Sequence, residues 1–143
     1  MPIQQHPEQG GIVMCDYSLG GFNEPEMVKN RPVLVLTPRI INRPFLCTVV
    51  GLSASAPDPQ MPYHRQIRIR PPLAKYWSSD DVWVKGDMVN AVGFHRLDLI
   101  RLGKDRAGKR IYHLDAIEPD QFKIVRECVL RAMGLSILTK HLV

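Results

Sequence analysis

Four polar side chains fall where predicted strands begin, end or bend: Arg31, Ser53, His64 and Asp87. Arg31 leads into PVLVLT, Ser53 closes FLCTVVGLS, His64 opens HRQIRIR, and Asp87 follows Gly86 within VWVKGDMVNAVGF. A guanidinium holds phosphate, a serine hydroxyl donates a hydrogen bond, and histidine and aspartate move protons. Gathered at one place, they suit phosphodiester chemistry. Each also has an ordinary reading. Arg31 could be a solvated base flanking a strand, Ser53 a turn initiator, His64 a surface histidine, and Asp87 a turn aspartate. Residue types alone leave both readings open.

The elements that must position them are mostly short strands. Residues 11–17 (GIVMCDY), 32–37, 45–53 and 64–70 carry apolar residues in runs or in alternation, as strands do. Residues 82–94 read as strand, kink near Gly86, strand; glycine inside a strand marks a bulge or a close backbone approach. The segments 18–27, 53–62 and 70–81 hold glycine, proline and small polar residues, so they are loops, the first of them mobile. Residues 96–110 form a basic, glycine-containing connection, with one more short strand at 111–114. Residues 118–134 are the one clear helix, with Pro119 and Asp120 in the first turn and Gly134 at the stop. Phe122, Val125, Val129 and Ala132 or Met133 give it an apolar face. Residues 1–10 are polar and loose. The expected organisation is a single domain over 1–143: this N-terminus, a small curled sheet or barrel with insertions over 11–115, and the helix.

The totals limit the function. Hydrophobic residues are 45% of 143 and charged residues 23%, enough for a packed core. The net charge of +5 favours an acidic partner such as nucleic acid or an acidic protein. Three widely spaced cysteines (15, 47 and 128) make neither a disulfide framework nor a zinc pattern, and are expected to be reduced thiols of a cytoplasmic protein. Five histidines without ligand spacing suggest no metal and no cofactor. No apolar run reaches membrane-spanning length, and MPIQQHPEQG lacks the basic start and apolar stretch of a signal peptide.

The order PEMVKNRPVLVLTP, CTVVGLSASAP, PYHRQI, WVKGDMVNAVGFHRL resembles the PemK/MazF family of toxins from bacterial toxin–antitoxin pairs. The resemblance runs from residue 11 to about 97, with a family-like helix after it. It implies a mainly β fold with a C-terminal helix, an SH3-like small barrel, and a homodimer. It also implies metal-independent cleavage of single-stranded RNA, commonly mRNA, by attack of the ribose 2′-hydroxyl. The products are a 2′,3′-cyclic phosphate and a 5′-hydroxyl, and DNA, lacking that hydroxyl, is not a substrate.

By the same resemblance, Arg31 matches the catalytic arginine and Ser53 the Ser/Thr that ends the third strand. Lys85 and Asp87 match an Arg–x–Asp element whose carboxylate acts as general base. Lys85 departs from arginine and keeps the charge without the planar fork. Glu26 matches a glutamate five residues before the arginine, and is expected to order the loop or pair with Arg31. His64 matches a histidine that binds or tunes substrate. Arg68 and Arg70 lie on an exposed strand face that can track an RNA backbone. Trp77 and Phe22 are the loop aromatics suited to stacking on bases, whereas Trp83 reads as core. The expected partners are single-stranded RNA, a cognate acidic or amphipathic antitoxin, and a second copy of the chain. Two other readings stay open: a non-catalytic RNA- or protein-binding module on the same barrel, and a gyrase-directed toxin.

Overall fold

The alternation in residues 12–16 and the apolar run after Pro32 become neighbouring strands of one antiparallel ladder. The computed structural model describes residues 2–18 and 20–143. Met1 in the polar N-terminus and Leu19 in the first loop lie outside the described residues. The chain forms two compact units, Met1–Val49 with Asn90–Ala116 and Val50–Val89 with Ile117–Val143. Two strands, β3 (Leu46–Ser53) and β5 (Asp81–Gly93), carry the chain from one unit to the other.

In the first unit, β1 (Ile12–Asp16) pairs antiparallel with β2 (Asn30–Val35) and with β6 (Leu97–Leu99). The register sets Ile12 against Leu34, Cys15 against Arg31 and Cys15 against Leu97. β2 continues beside the first half of β3, where the Leu36 amide donates to the Thr48 carbonyl at 2.9 Å. Val13, Cys15, Val33 and Val35 are buried, together with Leu34 and Leu97. β2 starts two residues earlier than the apolar pattern indicates, so Arg31 stands inside the ladder and not ahead of it. The polar N-terminus is tied to this sheet, with Ile3 N donating to Leu97 O at 2.9 Å and Gly10 N to Val35 O at 2.8 Å.

Residues 96–110 are more than a connection. A short 3-10 turn (Phe94–Arg96) leads into β6, and a hairpin of β7 (Arg101–Lys104) and β8 (Arg110–Tyr112) follows. One Asp105 carboxylate oxygen accepts from the amides of Ala107 and Lys109, both at 2.9 Å, and closes the turn. β8 overlaps the short strand expected at 111–114, while β7, with one apolar residue in four, is not revealed by hydrophobic periodicity.

In the second unit, β4 (His64–Arg68) pairs antiparallel with the first part of β5, His64 opposite Lys85 and Arg68 opposite Asp81. The end of β3 flanks β5 on its other side. Helix α1 (Pro119–Ala132) lies along β4. Its Gln121 Oε1 accepts from the Arg68 amide at 2.7 Å, and its Glu127 pairs with Arg65 at 2.9 Å. An edge strand with free amides invites pairing with other chains, and this helix covers part of that edge. Gly134, at φ 75°, ends the helix, and Leu135 N returns to Leu130 O at 2.8 Å.

The buried helix positions are Val125 and Cys128, while Phe122 and Val129 are half-buried and Met133 is 64% exposed. The buried line through Val125 and Cys128 is therefore rotated from the expected face of Phe122, Val125, Val129 and Ala132 or Met133, of which Ala132 is half-buried. Its cause is at Gly86. A Cβ added there would sit 2.5 Å from the Cys128 carbonyl oxygen and 2.9 Å from that of Tyr63. The helix backbone descends onto the strand at Cys128 because Gly86 has no side chain. Both obstructing atoms are main chain, so neither can turn aside. Gly86→Ala should cost about 1–3 kcal/mol, the range for forcing a methyl into a filled interior, read as a lower midpoint in urea unfolding at unchanged slope.

Candidate active site

Arg31 is drawn inward by its strand. Opposite residues of a ladder share a face, so its side chain lies on the same face as Cys15, which is fully buried. Arg31 is half-exposed, yet its Nε is buried without a hydrogen-bond acceptor among the described residues. Tyr17 follows Cys15 by two positions and is 1% exposed. Its hydroxyl also lacks a partner by hydrogen-bond geometry, although the Cys15 thiol lies beside it. Burial drives the Tyr17 hydroxyl pKa far above its ordinary value, Cys15 adds to this, and Arg31 pulls weakly the other way. Buried polar groups are nearly always satisfied, so an unpaired guanidinium N–H is a donor held ready for an acceptor. The sequence analysis did not single out Tyr17; its place two positions after Cys15, continuing the β1 alternation, was the available signal.

The loop between β1 and β2 is tied down by Arg96. Its guanidinium donates to the Asp16 and Gly20 carbonyls at 3.2 and 2.9 Å and lies 4.6 Å over the Phe22 ring. Phe22 also packs edge-on against Tyr17 at 5.3 Å. This aromatic is therefore engaged inside its own unit. Glu26 accepts from the Asn23 amide at 3.2 Å, the loop-ordering role, and makes no ion pair with Arg31.

The second unit holds Ser53, His64, Lys85 and Asp87. The Met61 amide donates to His64 Nδ1 at 3.0 Å. Nδ1 is thus an acceptor, and the neutral ring carries its proton on Nε2. Nε2 faces Asp87 Oδ1 at 3.9 Å, within electrostatic reach but beyond hydrogen-bond length. His64 is 8% exposed and Tyr63 packs against its ring at 4.6 Å, so the pair is oriented and not loose. Lys85 stands across the ladder from His64, and Asp87 is exposed, its backbone fixed next to Gly86. These are close neighbours that sequence spacing could not join: the histidine and the aspartate are 23 positions apart.

Ser53 is 9% exposed, and its hydroxyl is engaged locally. It donates to the Ser55 carbonyl at 3.3 Å and accepts from the Ser55 amide at 3.2 Å, a serine turn. Arg68 pairs with Asp81 at 3.5 Å, while Arg70 is exposed beyond the end of β4. Trp77 and Trp83 are both half-buried, so Trp83 is not the core residue the strand pattern suggests. It lies opposite Gln66 on the β4–β5 ladder, on the more exposed side of the alternation.

The thiols are poor candidates for chemistry. All three cysteines are free and buried. Burial pushes Cys15 and Cys128 up to about 11 and Cys47 up to about 12. Among the described residues, no three His, Cys, Asp or Glu side chains are grouped to hold a metal ion.

The described residues contain no helix long and apolar enough to cross a membrane. The family described as PemK-like, MazF-like toxin of type II toxin-antitoxin system matches residues 8–132. Among solved structures, MazF (Form-I) from Deinococcus radiodurans superposes with a TM-score of 0.60 at 18% identity, over 90% of this chain and 96% of that one. The Mycobacterium tuberculosis toxin MazF-mt6 superposes with a TM-score of 0.55 at 16% identity, over 87% and 97%. At such identities these structures speak for the fold. No curated protein matches the chain in sequence.

Two outcomes follow from this geometry. His64→Ala removes the acceptor of the Met61 amide, and hydrogen exchange at Met61 should accelerate by about tenfold, the equivalent of one modest hydrogen bond. The thiols bear on alkaline stability. Their folded pKa values are raised above the free value of 9.0, so the folded chain keeps protons that the unfolded chain releases. The stabilisation is intact below about pH 9 and is lost as pH rises through 11–12. Urea midpoints measured across that window should fall, and a Cys47→Ala variant should show a shallower fall.

Proposed function

The chain belongs to the PemK/MazF family of type II toxins, and we propose that it is a metal-independent endoribonuclease cutting single-stranded RNA, mRNA included. Family membership across residues 8–132 carries this reading. The unpaired, buried Nε of Arg31 supports it, because a fixed cation with a donor in hand suits a phosphate gaining negative charge.

In the proposed reaction the ribose 2′-oxygen attacks the adjacent phosphorus and gives its proton to the Asp87 carboxylate. The O2′–P bond forms and the P–O5′ bond breaks. The departing O5′ takes a proton from water, leaving a 2′,3′-cyclic phosphate and a 5′-hydroxyl. Arg31 stabilises the charge that accumulates on the phosphorane oxygens. His64, with its proton on the nitrogen facing Asp87, holds that carboxylate's orientation and charge. Lys85 neutralises phosphate as a point charge, and the Ser53 hydroxyl holds a nonbridging oxygen once released from its turn. Arg68, Arg70 and Trp77 contribute backbone and base contacts, and Glu26 keeps the β1–β2 loop in shape. The proposed partners are a cytoplasmic antitoxin with an acidic or amphipathic segment and a second copy of the chain.

Mixed-sequence single-stranded RNA should be cut in excess EDTA, with ends that map as cyclic phosphate and 5′-hydroxyl. Arg31→Ala should lower the rate by at least about a hundredfold, the scale of losing one transition-state donor. Asp87→Asn should lower it by about 10²–10⁴, the scale of a general base. No cutting of long, varied RNAs by the folded chain would replace the enzyme with a binding module.

A further inference from the structure

At the other end of β2 from Arg31, the first unit has a groove of about 910 Å³. The four steps from Arg31 to Val35 alone span about 13 Å, so the groove is separate from the Arg31 surroundings. Its floor and rim combine three kinds of group. Arg39 and Arg43 are exposed and make no ion pair among the described residues, and no Asp or Glu lines the groove. Gln4, Gln5 and Asn42 bring amides. Phe45, Phe94 and His6 bring rings.

The rings are arranged and not merely present. Phe94 is buried, with Phe45 edge-on at 6.0 Å and His6 at 6.1 Å. Phe45 is 67% exposed at φ 62°, and Asn42 has φ 66°. A bulky residue in the left-handed region is a genuine outlier, and such strain persists where the surroundings impose it. Here the Phe45 carbonyl is held by the Phe94 amide at 2.9 Å, which fixes the backbone and leaves the ring facing solvent. The His6 Nδ1–H donates to the Pro7 carbonyl at 2.6 Å, so the neutral ring offers Nε2 as an acceptor.

We propose that this groove is an RNA exosite that holds unpaired nucleotides of the substrate away from the cleaved bond. Arg39 and Arg43 take two phosphates, Phe45 stacks on a base, and the amides with His6 meet base edges and ribose hydroxyls. The choice of RNA rests on the ribonuclease reading above. An acidic peptide fits the charge equally, but its apolar side chains need an aliphatic wall, and only Ile40 and Pro44 provide one. A volume near 910 Å³ is at the upper end for small-molecule sites and suits a strand that enters and leaves.

The test uses the full chain carrying Arg31→Ala, so that RNA stays whole, and a 20-nucleotide single-stranded RNA containing 4-thiouridine. The exposed pair Arg39→Gln/Arg43→Gln should weaken binding by about tenfold at moderate salt. It should also flatten the slope of log K against log salt by about 1.4, two phosphates at about 0.7 each for single strands. Photocrosslinks on the chain with an intact groove should map to the peptides holding Phe45 and Phe94, a readout needing no substitution in the groove. Unchanged affinity and slope with crosslinks elsewhere would overturn the exosite. So would a ten-residue acidic, aromatic peptide whose binding depends on the two arginines while RNA binding does not. RNA held here but never cut by the unsubstituted chain would keep the groove and remove the ribonuclease reading. RNA cut normally, with binding indifferent to the arginine pair, would do the reverse.

Discussion

The pairing of β1 with β2 in a single register is the constraint from which the chemistry of the first unit follows. It sets Arg31 against Cys15, a fully buried residue, and so commits a cationic side chain to the inner face of a sheet. A slip of one residue would turn every side chain of β2 to the opposite face and separate Arg31 from Cys15. The apolar residues Val33 and Val35 hold the register, because they share Arg31's face and are fully buried. Burial of hydrocarbon thus places the guanidinium and compensates for its partly lost hydration. Its Nε remains without an acceptor among the described residues.

The second unit meets an analogous demand with different means. Asp87 is exposed while the strand beneath it packs against a helix. Gly86 permits the contact by letting the Cys128 carbonyl approach, and the next residue is then carried outward on a backbone that cannot shift. His64 is fixed from two sides, by the Met61 amide on Nδ1 and by the Tyr63 ring. The proton on Nε2 therefore results from a main-chain bond two turns of logic away from the carboxylate it faces. A histidine free to rotate could present either nitrogen; this one presents a defined donor.

Much of this was legible in the residues, and the limits have physical causes. β1, β2, β3, β4 and the long β5 follow apolar pattern, and α1 follows its N-terminal proline, its periodicity and its terminal glycine. β8 falls on the short strand expected at 111–114, whereas β7 escaped because its RLGK carries one apolar residue in four, and the Asp105 turn closes the hairpin. The helix face was misjudged by about one position, because a glycine on another element, not the helix's own periodicity, decides where the backbone descends. Arg31 and Asp87 could be named from motif resemblance. The approach of His64 to Asp87, the orphaned Tyr17 hydroxyl and the latch formed by Arg96 are tertiary facts, and a single sequence does not contain their distances.

A net charge of +5 spread over a small chain says little until the cations with partners are separated from those without. Arg65 and Arg68 are held by Glu127 and Asp81, and Arg96 by two carbonyls and a ring. The charge of Arg65 and of Arg68 is partly neutralised by its partner. Arg39 and Arg43 have no such partner among the described residues, and Arg31 has a buried donor without an acceptor. Exposed arginines without an ion pair among the described residues also occur at Arg70, Arg101, Arg106 and Arg110; what sets Arg39 and Arg43 apart is a shared groove with rings and amides and no carboxylate. Arginine is the cation least suited to idle burial and best suited to planar, doubly hydrogen-bonded contact with phosphate. A polyanion longer than one nucleotide is the ligand class that can engage separated cations of this kind together.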